Sequence, residues 1–167
     1  ANSNTAAGIV REAHNYNVPV IAYDRLIKNS DLDYLVTFEG SEIGSLMVNY
    51  AIANKPEGNY VMLWGDAGDV NALFIKEAQE KLLQPSIDNG KIKIVYKTFV
   101  EDWSSENAYH LMKNIIAFSD RKIDAVITSY DGMAMGARKA MDEAGLPDNI
   151  ILTGQDAELA SVRAINE

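Results

Sequence analysis

The chain has 167 residues, of which 47% are apolar and 23% charged, enough for one ordinary domain or for one part of a two-lobed protein. With 24 acidic and 15 basic residues its formal net charge is −9, which argues against binding to nucleic acids or to anionic membranes. The absence of cysteine excludes thiol catalysis, disulfides and thiolate metal sites, and no stretch approaches the roughly 20 apolar residues of a membrane span.

Helix and strand patterns alternate along the chain. The first helix is predicted to end near Asn17, and the strand 18–23 after it ends at Asp24 and Arg25. The polar segment 28–33 is the best candidate for a linker or hinge. The remaining predicted strands are 34–38, 60–64, 92–99, 123–128 and 150–152. The helices are predicted around 43–51, at 70–83, around 108–116, through Ala140 to a stop at Gly145, and from about Glu158 onward.

This alternation predicts a doubly wound α/β fold, in which helices cover both faces of a parallel, Rossmann-like sheet. Three lysines in and next to strand 92–99 place that strand near a sheet edge. Right-handed crossovers bring the carboxyl ends of parallel strands to one edge, so the residues that follow the strands should lie together. They are Asp24, Arg25, the segment 66–71, Trp103, Tyr130, Asp131, Gln155 and Asp156.

These residue types suit a polar, uncharged ligand such as a sugar. Each sugar hydroxyl can donate a hydrogen bond to an aspartate and accept one from an arginine or asparagine. An aromatic ring can cover the C–H side of the sugar. The edge of the predicted sheet is therefore a candidate sugar-binding site.

Each candidate also has a purely structural interpretation. Asp24 and Arg25 can form a surface ion pair, which contributes little to stability. Asp156 can cap the helix after it, and Asp69 can cap the helix 70–83. Trp103 can fill the core. From the residues alone these alternatives stay open.

Four other large side chains are interpreted as packing residues. Trp64 ends a buried strand and is expected in the core rather than on a ligand. Met133, Met135 and Met141 are expected to pack the helix that carries them.

Catalysis is not expected. His14 and His110 both fall in predicted helices, away from the sheet edge that collects the polar residues. The segment 40–44 lacks the spacing of a nucleophile elbow. The segment 65–69 lacks the lysine of a phosphate-binding loop and carries two carboxylates that would repel phosphate.

Three segments carry a family resemblance: PVIAYDR at 19–25, SYDGMAMGARKAM at 129–141 and TGQDAEL at 153–159. In order and spacing they resemble the type I periplasmic (ribose-binding-like) sugar-binding proteins, and within them the D-xylose-binding branch. The resemblance implies a periplasmic or extracellular receptor, in some cases membrane-anchored, that closes two lobes around a monosaccharide. It implies no cofactor, no metal and no enzymatic activity. Its implied partner is a membrane ABC permease or, in some relatives, a sensor histidine kinase.

The resemblance also assigns roles to single residues. It implies that Asp24 and Arg25 bind the sugar from the first lobe and that Asn71 binds a hydroxyl. It implies that Trp103 stacks on the sugar and that Asp156 accepts hydrogen bonds from its hydroxyls.

Two further ligand-binding candidates are less regular. Asp69 precedes Asn71 in the matching segment and can serve the ligand, the helix cap or both. Tyr130 stands where the family usually has asparagine. It can still donate through its hydroxyl, but it is larger and lacks the amide acceptor, which puts the identity of the sugar in question.

The same resemblance predicts how the chain is divided between lobes. Residues 1–27 resemble a remnant of the N-terminal lobe, 28–33 a hinge, and 34–167 a C-terminal sugar-binding lobe that is incomplete at its C-terminus, before a second hinge. A companion fragment or a domain-exchanged copy is one way to supply the missing part.

A second function class keeps the same fold. The effector-binding core of a LacI-type sugar-responsive transcription regulator resembles these receptors. It would need a basic DNA-binding headpiece, which this chain does not contain, so no nucleic-acid partner is expected for it.

Overall fold

A computed structural model describes residues 6–119 and 122–166. In chain order its elements are α1 (Ala7–Asn15), β1 (Ile21–Tyr23), β2 (Tyr34–Val36), α2 (Gly40–Asn54), β3 (Gly58–Trp64), α3 (Val70–Asp88), β4 (Ile92–Phe99), a short 3-10 helix (Glu101–Trp103), α4 (Ser105–Phe118), β5 (Ala125–Thr128), α5 (Asp131–Glu143), β6 (Ile151–Thr153) and α6 (Leu159–Asn166). The predicted α/β alternation is confirmed. None of the helices in the described part of the chain has the length and apolar character needed to cross a membrane.

The described strands form two parallel sheets. Four of them pair in the order β4-β3-β5-β6, and β4 lies at an edge as predicted. The other two, β1 and β2, pair only with each other, with Ile21 opposite Tyr34 and Tyr23 opposite Val36. The doubly wound fold therefore corresponds to the four-stranded sheet, and the start of the chain forms a separate small sheet.

The central strand β3 shows how the sequence builds two cores. Alternate side chains of a strand point to opposite faces. Tyr60, Met62 and Trp64 pack on one face with α2 and α3, whereas Val61 and Leu63 pack on the other with α4 and α5. All five are buried because helices cover both faces, which explains the unbroken apolar run 60–64 within β3.

Local signals set three helix starts and one helix end in the described part of the chain. The side chains of Glu39, Asp69 and Ser104 cap the starts of α2, α3 and α4 by accepting a hydrogen bond from a first-turn N–H. The predicted stop after α5 is confirmed, since Gly145 follows that helix with φ of +65°, a conformation that glycine adopts without strain.

Several predicted boundaries differ from the structure by two or more residues, and two of them show a physical reason. The helix predicted to end at Leu83 continues through Pro85 to Asp88, since Ile87 in its last turn still packs against the core. The strand predicted to start at residue 18 starts at Ile21, since regular pairing with β2 begins only there.

The predicted linker at 28–33 joins β1 to β2, and these strands belong to one sheet. Its last residue, Asp33, accepts hydrogen bonds from the N–H of Val20 at 2.7 Å and from His14 at 2.9 Å. The segment is thus tied to the elements on both sides of it. The sheet pairing changes instead after Val36, between β2 and α2.

The packing role predicted for Trp64 is confirmed by its 3% exposure. Its indole Nε1 donates a hydrogen bond of 2.9 Å to Oε1 of Gln79, which is fully buried in α3. The amide of Gln79 in turn contacts the sulfur of Met47 at 3.2 Å. The buried amide of Gln79 therefore provides the hydrogen-bond acceptor that the indole N–H of Trp64 needs.

We expect Gln79→Met to lower the free energy of unfolding by about 1–3 kcal/mol, because it leaves the buried indole N–H of Trp64 without an acceptor. Urea unfolding measures this difference. Gln84→Met, at an exposed position of the same helix, is the matched control and should change stability by less than about 0.5 kcal/mol. Equal effects of the two substitutions would contradict the role given to the hydrogen bond.

Candidate functional site

A cavity of about 710 Å³ opens at the carboxyl ends of the strands. In the described part of the chain, segments that follow each of the six strands line this cavity, although the strands belong to two different sheets. The structure brings six of the seven predicted ligand-binding residues to its lining: Asp24, Arg25, Asn71, Trp103, Tyr130 and Asp156. The seventh, Asp69, lies behind the lining.

Asp69 is 1% exposed and serves three groups. Its Oδ1 accepts a hydrogen bond of 3.0 Å from the N–H of Asn71, which caps α3. Its Oδ2 lies 2.7 Å from Nε of Arg25. The two groups form an ion pair, but the Nε–H of Arg25 does not point along a hydrogen bond. The same oxygen accepts a hydrogen bond of 3.2 Å from the indole N–H of Trp103. Asp69 is therefore both a helix cap and the residue that orients two side chains of the cavity.

The segment after β1 is held against α3. Asp24 has φ of +70°, and its backbone carbonyl accepts hydrogen bonds from the side chains of Thr37 at 2.6 Å and Asn71 at 3.3 Å. The surface pair between Asp24 and Arg25 exists but is long, at 3.8 Å, compared with the contact between Arg25 and Asp69. Arg25 is thus bound chiefly by a buried carboxylate rather than by its neighbour.

The ring of Trp103 packs directly against the backbone of Gly65. A Cβ atom on Gly65 would lie 2.3 Å from the ring, so only glycine leaves enough room there. Asp66 accepts hydrogen bonds from the N–H groups of Gly68 at 2.7 Å and Asp102 at 2.8 Å, and these donors hold the pKa of Asp66 below its usual range. Asp102 and Trp103 both have positive φ, so the turn that presents the indole is strained.

The ends of β5 and β6 are joined by hydrogen bonds. The N–H of Asp131 donates to the carbonyl of Gln155 at 3.0 Å, and the N–H of Glu158 donates to Oδ2 of Asp131 at 2.9 Å. The amide of Gln155 donates to the carbonyl of Ser129 at 2.7 Å, and the hydroxyl of Tyr130 donates to Oε1 of Glu158. These hydrogen bonds therefore hold the segments after β5 and β6 together at this end of the cavity.

Asp156 has φ of +86°, and within residues 6–119 and 122–166 its carboxylate accepts no hydrogen bond. The cap role considered for it is not seen, because the N–H of Glu158 goes to Asp131. Partial desolvation raises the pKa of Asp156. The nearby carboxylates of Asp131, Asp24 and Glu158 raise it further. An unpartnered carboxylate at the cavity is a strong acceptor for ligand hydroxyls.

Several lining residues were missed in the sequence. Phe38 lines the cavity and is 81% exposed. It was the last residue of the predicted strand 34–38, so the strand-end rule could have pointed to it. Glu158 also lines the cavity, whereas the sequence pattern indicates only a helix start at this residue. Met135 was predicted to pack its helix, but it lines the cavity, whereas Met133 and Met141 are buried in the core as predicted.

Neither histidine lines the cavity. His14 contacts Asp33 at 2.9 Å, and His110 lies 3.8 Å from Glu106 on the surface. In the part of the chain that the structure describes, no group of three or more acidic or histidine side chains has the arrangement of a metal site. The lining offers carboxylates, one guanidinium, amides and aromatic rings, which bind a polar ligand by hydrogen bonds and stacking.

Comparison with known proteins agrees with this arrangement. A family model described as periplasmic binding protein domain matches residues 1–167. D-xylose-binding periplasmic proteins of Haemophilus influenzae and Escherichia coli are 38% and 37% identical to the chain over 164 residues, which is 98% of this chain and 49% and 50% of theirs. The chain thus spans about half the length of the curated relatives it matches.

A solved structure shows the same fold. The ABC transporter solute-binding protein from Clostridium phytofermentans with bound β-D-glucose superimposes with a TM-score of 0.88 and 31% identity, over 99% of this chain and 56% of that one. The match supports the arrangement of strands and helices around the cavity.

We expect Asp69→Asn to lower the free energy of unfolding by about 1–3 kcal/mol, because the amide keeps the cap on α3 but loses the charge that faces Arg25. Arg25 is partly exposed, so the loss should stay below that of a fully buried ion pair. Urea unfolding measures it. The control is Asp142→Asn, which alters a surface pair with Arg138 and should change stability by at most about 0.5 kcal/mol. Equal stability losses would contradict the role of Asp69.

We expect Asp156→Asn to raise the melting temperature at pH 7 by at most about 2 °C, because solvent screens the charge of this exposed side chain. The folded state raises the pKa of Asp156, so ionisation of this group costs stability above that pKa and costs nothing once the group is protonated. Asparagine also tolerates the positive φ. Thermal unfolding from pH 7 to 3 should show the difference between variant and parent shrinking as the pH falls. A difference that grows toward acid would contradict this assignment.

Proposed function

Because this chain belongs to the periplasmic binding protein domain family, we propose that it forms the sugar-binding lobe of an extracytoplasmic receptor for a neutral monosaccharide. The observation that carries the proposal is that the segments after all six described strands converge on one cavity. Residues distant in the sequence meet there as hydroxyl acceptors, hydroxyl donors and an indole. Such a set recognises a polyhydroxylated ligand without requiring a charge on it.

The proposed roles divide along the lining. Asp156 accepts hydrogen bonds from sugar hydroxyls. Arg25 donates hydrogen bonds to sugar oxygens, and the contact of its Nε with Asp69 keeps the guanidinium in position. Asp24 and Asn71 contribute a carboxylate and an amide carbonyl. Trp103 offers its ring to the C–H face of the sugar.

D-xylose is the first candidate sugar because two relatives with this sugar in their names match almost the whole chain. The structurally similar protein with bound glucose is a reason to test hexoses too. At Tyr130 the resemblance described above leads one to expect asparagine. We therefore expect Tyr130 to modify the choice of sugar.

The proposed mechanism is closure of two lobes around the sugar. The sheet pairing changes after Val36, so the proposed division of the chain lies at residues 37–39 rather than at 28–33. The contacts between Arg25 and Asp69 and between Asp24 and Asn71 then connect the two lobes. Sugar would favour the closed form to the extent that it binds that form more tightly.

The proposed location is the periplasm or the cell exterior, and the proposed partner is a membrane permease or a sensor histidine kinase. The relatives named above are periplasmic binding proteins, which supports the receptor over a transcription regulator. A companion fragment or an exchanged copy gains no support from them. Membrane anchoring stays a prediction from the resemblance.

The test is isothermal titration of D-xylose, D-ribose and D-glucose into the full-length protein that carries this chain. We expect saturable binding, strongest for D-xylose, and about tenfold or greater weakening by Asp156→Asn because the ionised acceptor is lost. The control is Asp142→Asn, which lies in a surface ion pair outside the cavity lining and should leave the affinity unchanged.

Three outcomes are distinct. Selective D-xylose binding that Asp156→Asn weakens supports the receptor and its site. Binding that prefers another sugar keeps the receptor but rejects D-xylose. Failure of the full-length protein to bind any monosaccharide would overturn the proposed function.

A further inference from the structure

Tyr130 is held in one orientation at the cavity. Its ring meets the ring of Trp103 edge-on, with centroids 6.5 Å apart and planes at 84°. On its other side the ring lies against Gly132, where a Cβ atom would come within 2.5 Å of the ring carbon Cε1. The phenol therefore has little freedom to turn, and its oxygen stays at the lining of the cavity.

The single proton of this phenol is already used. Tyr130 donates its hydroxyl hydrogen to Oε1 of Glu158, and both residues line the cavity. This hydrogen bond, followed by partial burial and the charges of neighbouring carboxylates, raises the pKa of Tyr130 to about 12. A tyrosine hydroxyl has one donor and two acceptor lone pairs, so what remains for a ligand is acceptor capacity.

The backbone of Glu158 is held in place without any contribution from its side chain. Its backbone N–H donates to Asp131 at 2.9 Å, and the N–H of Asp131 donates to the carbonyl of Gln155 at 3.0 Å. The backbone next to α6 is thus fixed by bonds that a change of the Glu158 side chain leaves intact. The carboxylate of Glu158 is free to act on Tyr130.

We propose that Glu158 is a positioning residue that commits the Tyr130 hydroxyl to act as a hydrogen-bond acceptor toward the ligand. The inference rests on the proposed function, that the cavity holds a neutral monosaccharide. This end of the cavity then presents the acceptors of both Tyr130 and Asp156 to the ligand. It selects a sugar that turns a hydroxyl hydrogen, rather than an oxygen lone pair, toward Tyr130.

The experiment is a double-mutant cycle in the full-length protein, with D-xylose, D-ribose and D-glucose titrated into the parent, Glu158→Gln, Tyr130→Phe and the double variant. Phenylalanine keeps the ring contacts with Trp103 and Gly132. Glutamine keeps the length of Glu158 but replaces the charged acceptor by a neutral amide, whose N–H can donate to the phenol oxygen in place of a ligand hydroxyl. We expect Glu158→Gln and Tyr130→Phe each to weaken the tightest sugar about tenfold. In the Tyr130→Phe background the effect of Glu158→Gln should disappear, because it acts through the phenol.

A second readout is independent of sugar. In protein with carbon-13-labelled tyrosine, NMR titration follows the ionisation of Tyr130. Its pKa should fall from about 12 toward the ordinary value of 10.0 in Glu158→Gln. An unchanged titration would overturn the proposed action of Glu158 on the phenol.

The chain provides a matched control. Tyr109 donates a hydrogen bond of 2.7 Å to Glu143 on the exposed surface, and neither residue lines the cavity. Glu143→Gln removes the same charge from the same kind of pair and should leave sugar affinity unchanged. Weakening by Glu143→Gln equal to that by Glu158→Gln would overturn the inference.

The remaining outcomes separate this inference from the proposed function. If the parent binds a sugar but the two single effects add, or Glu158→Gln has no effect, the inference is wrong and the receptor function stands. If the parent binds no sugar, both are overturned.

Discussion

The buried carboxylate of Asp69 connects the two sheets that strand pairing leaves separate. It lies at the start of α3, on the four-stranded sheet, while Arg25 follows β1 of the two-stranded sheet. A buried carboxylate is costly unless an opposite charge and hydrogen-bond donors surround it. Arg25, Trp103 and the N–H of Asn71 supply them. The same contacts that stabilise Asp69 therefore also position two side chains of the cavity.

Backbone strain is concentrated at the same place. Asp24, Asp102, Trp103 and Asp156 all have positive φ and all line the cavity. Such conformations cost free energy for residues other than glycine and persist only where their surroundings enforce them. Here hydrogen bonds to Asp66 and to the carbonyl of Asp24 provide part of that enforcement. The loops are thus shaped before any ligand arrives, which lowers the ordering cost of binding.

The strand-end residues were predictable because two general rules apply to them: parallel strands end at one edge, and ligands bind there. The rules located Trp103, Tyr130 and Asp156 from their positions alone. They could not reveal that Asp69 lies behind the lining, or that Asp131 rather than Asp156 accepts the N–H before α6. These details depend on which of several carboxylates reaches a given donor, a matter of fractions of an ångström.

Sheet membership was harder to predict for a related reason. The sequence of β2 predicts a strand, as do the other strand sequences of the chain. Nothing in the local sequence shows whether this strand pairs with β1 or with β3. The outcome depends on the connection at 24–33, which is short and tied down by Asp33, and so keeps β2 beside β1. Long-range pairing is chosen by such geometric limits rather than by the composition of the strand.

Electrostatics favours an uncharged ligand in this cavity. In α/β proteins the helix starts at the carboxyl edge of the sheet attract anions, because their N–H groups lack partners. Here Asp69 takes an N–H at the start of α3, Ser104 takes one at α4, and Asp131 takes the one before α6. Arg25 is the one cationic side chain lining the cavity in the part of the chain that the structure describes, and a buried carboxylate already faces it. An anionic sugar would meet several carboxylates and few free donors, whereas neutral hydroxyls can donate to those carboxylates.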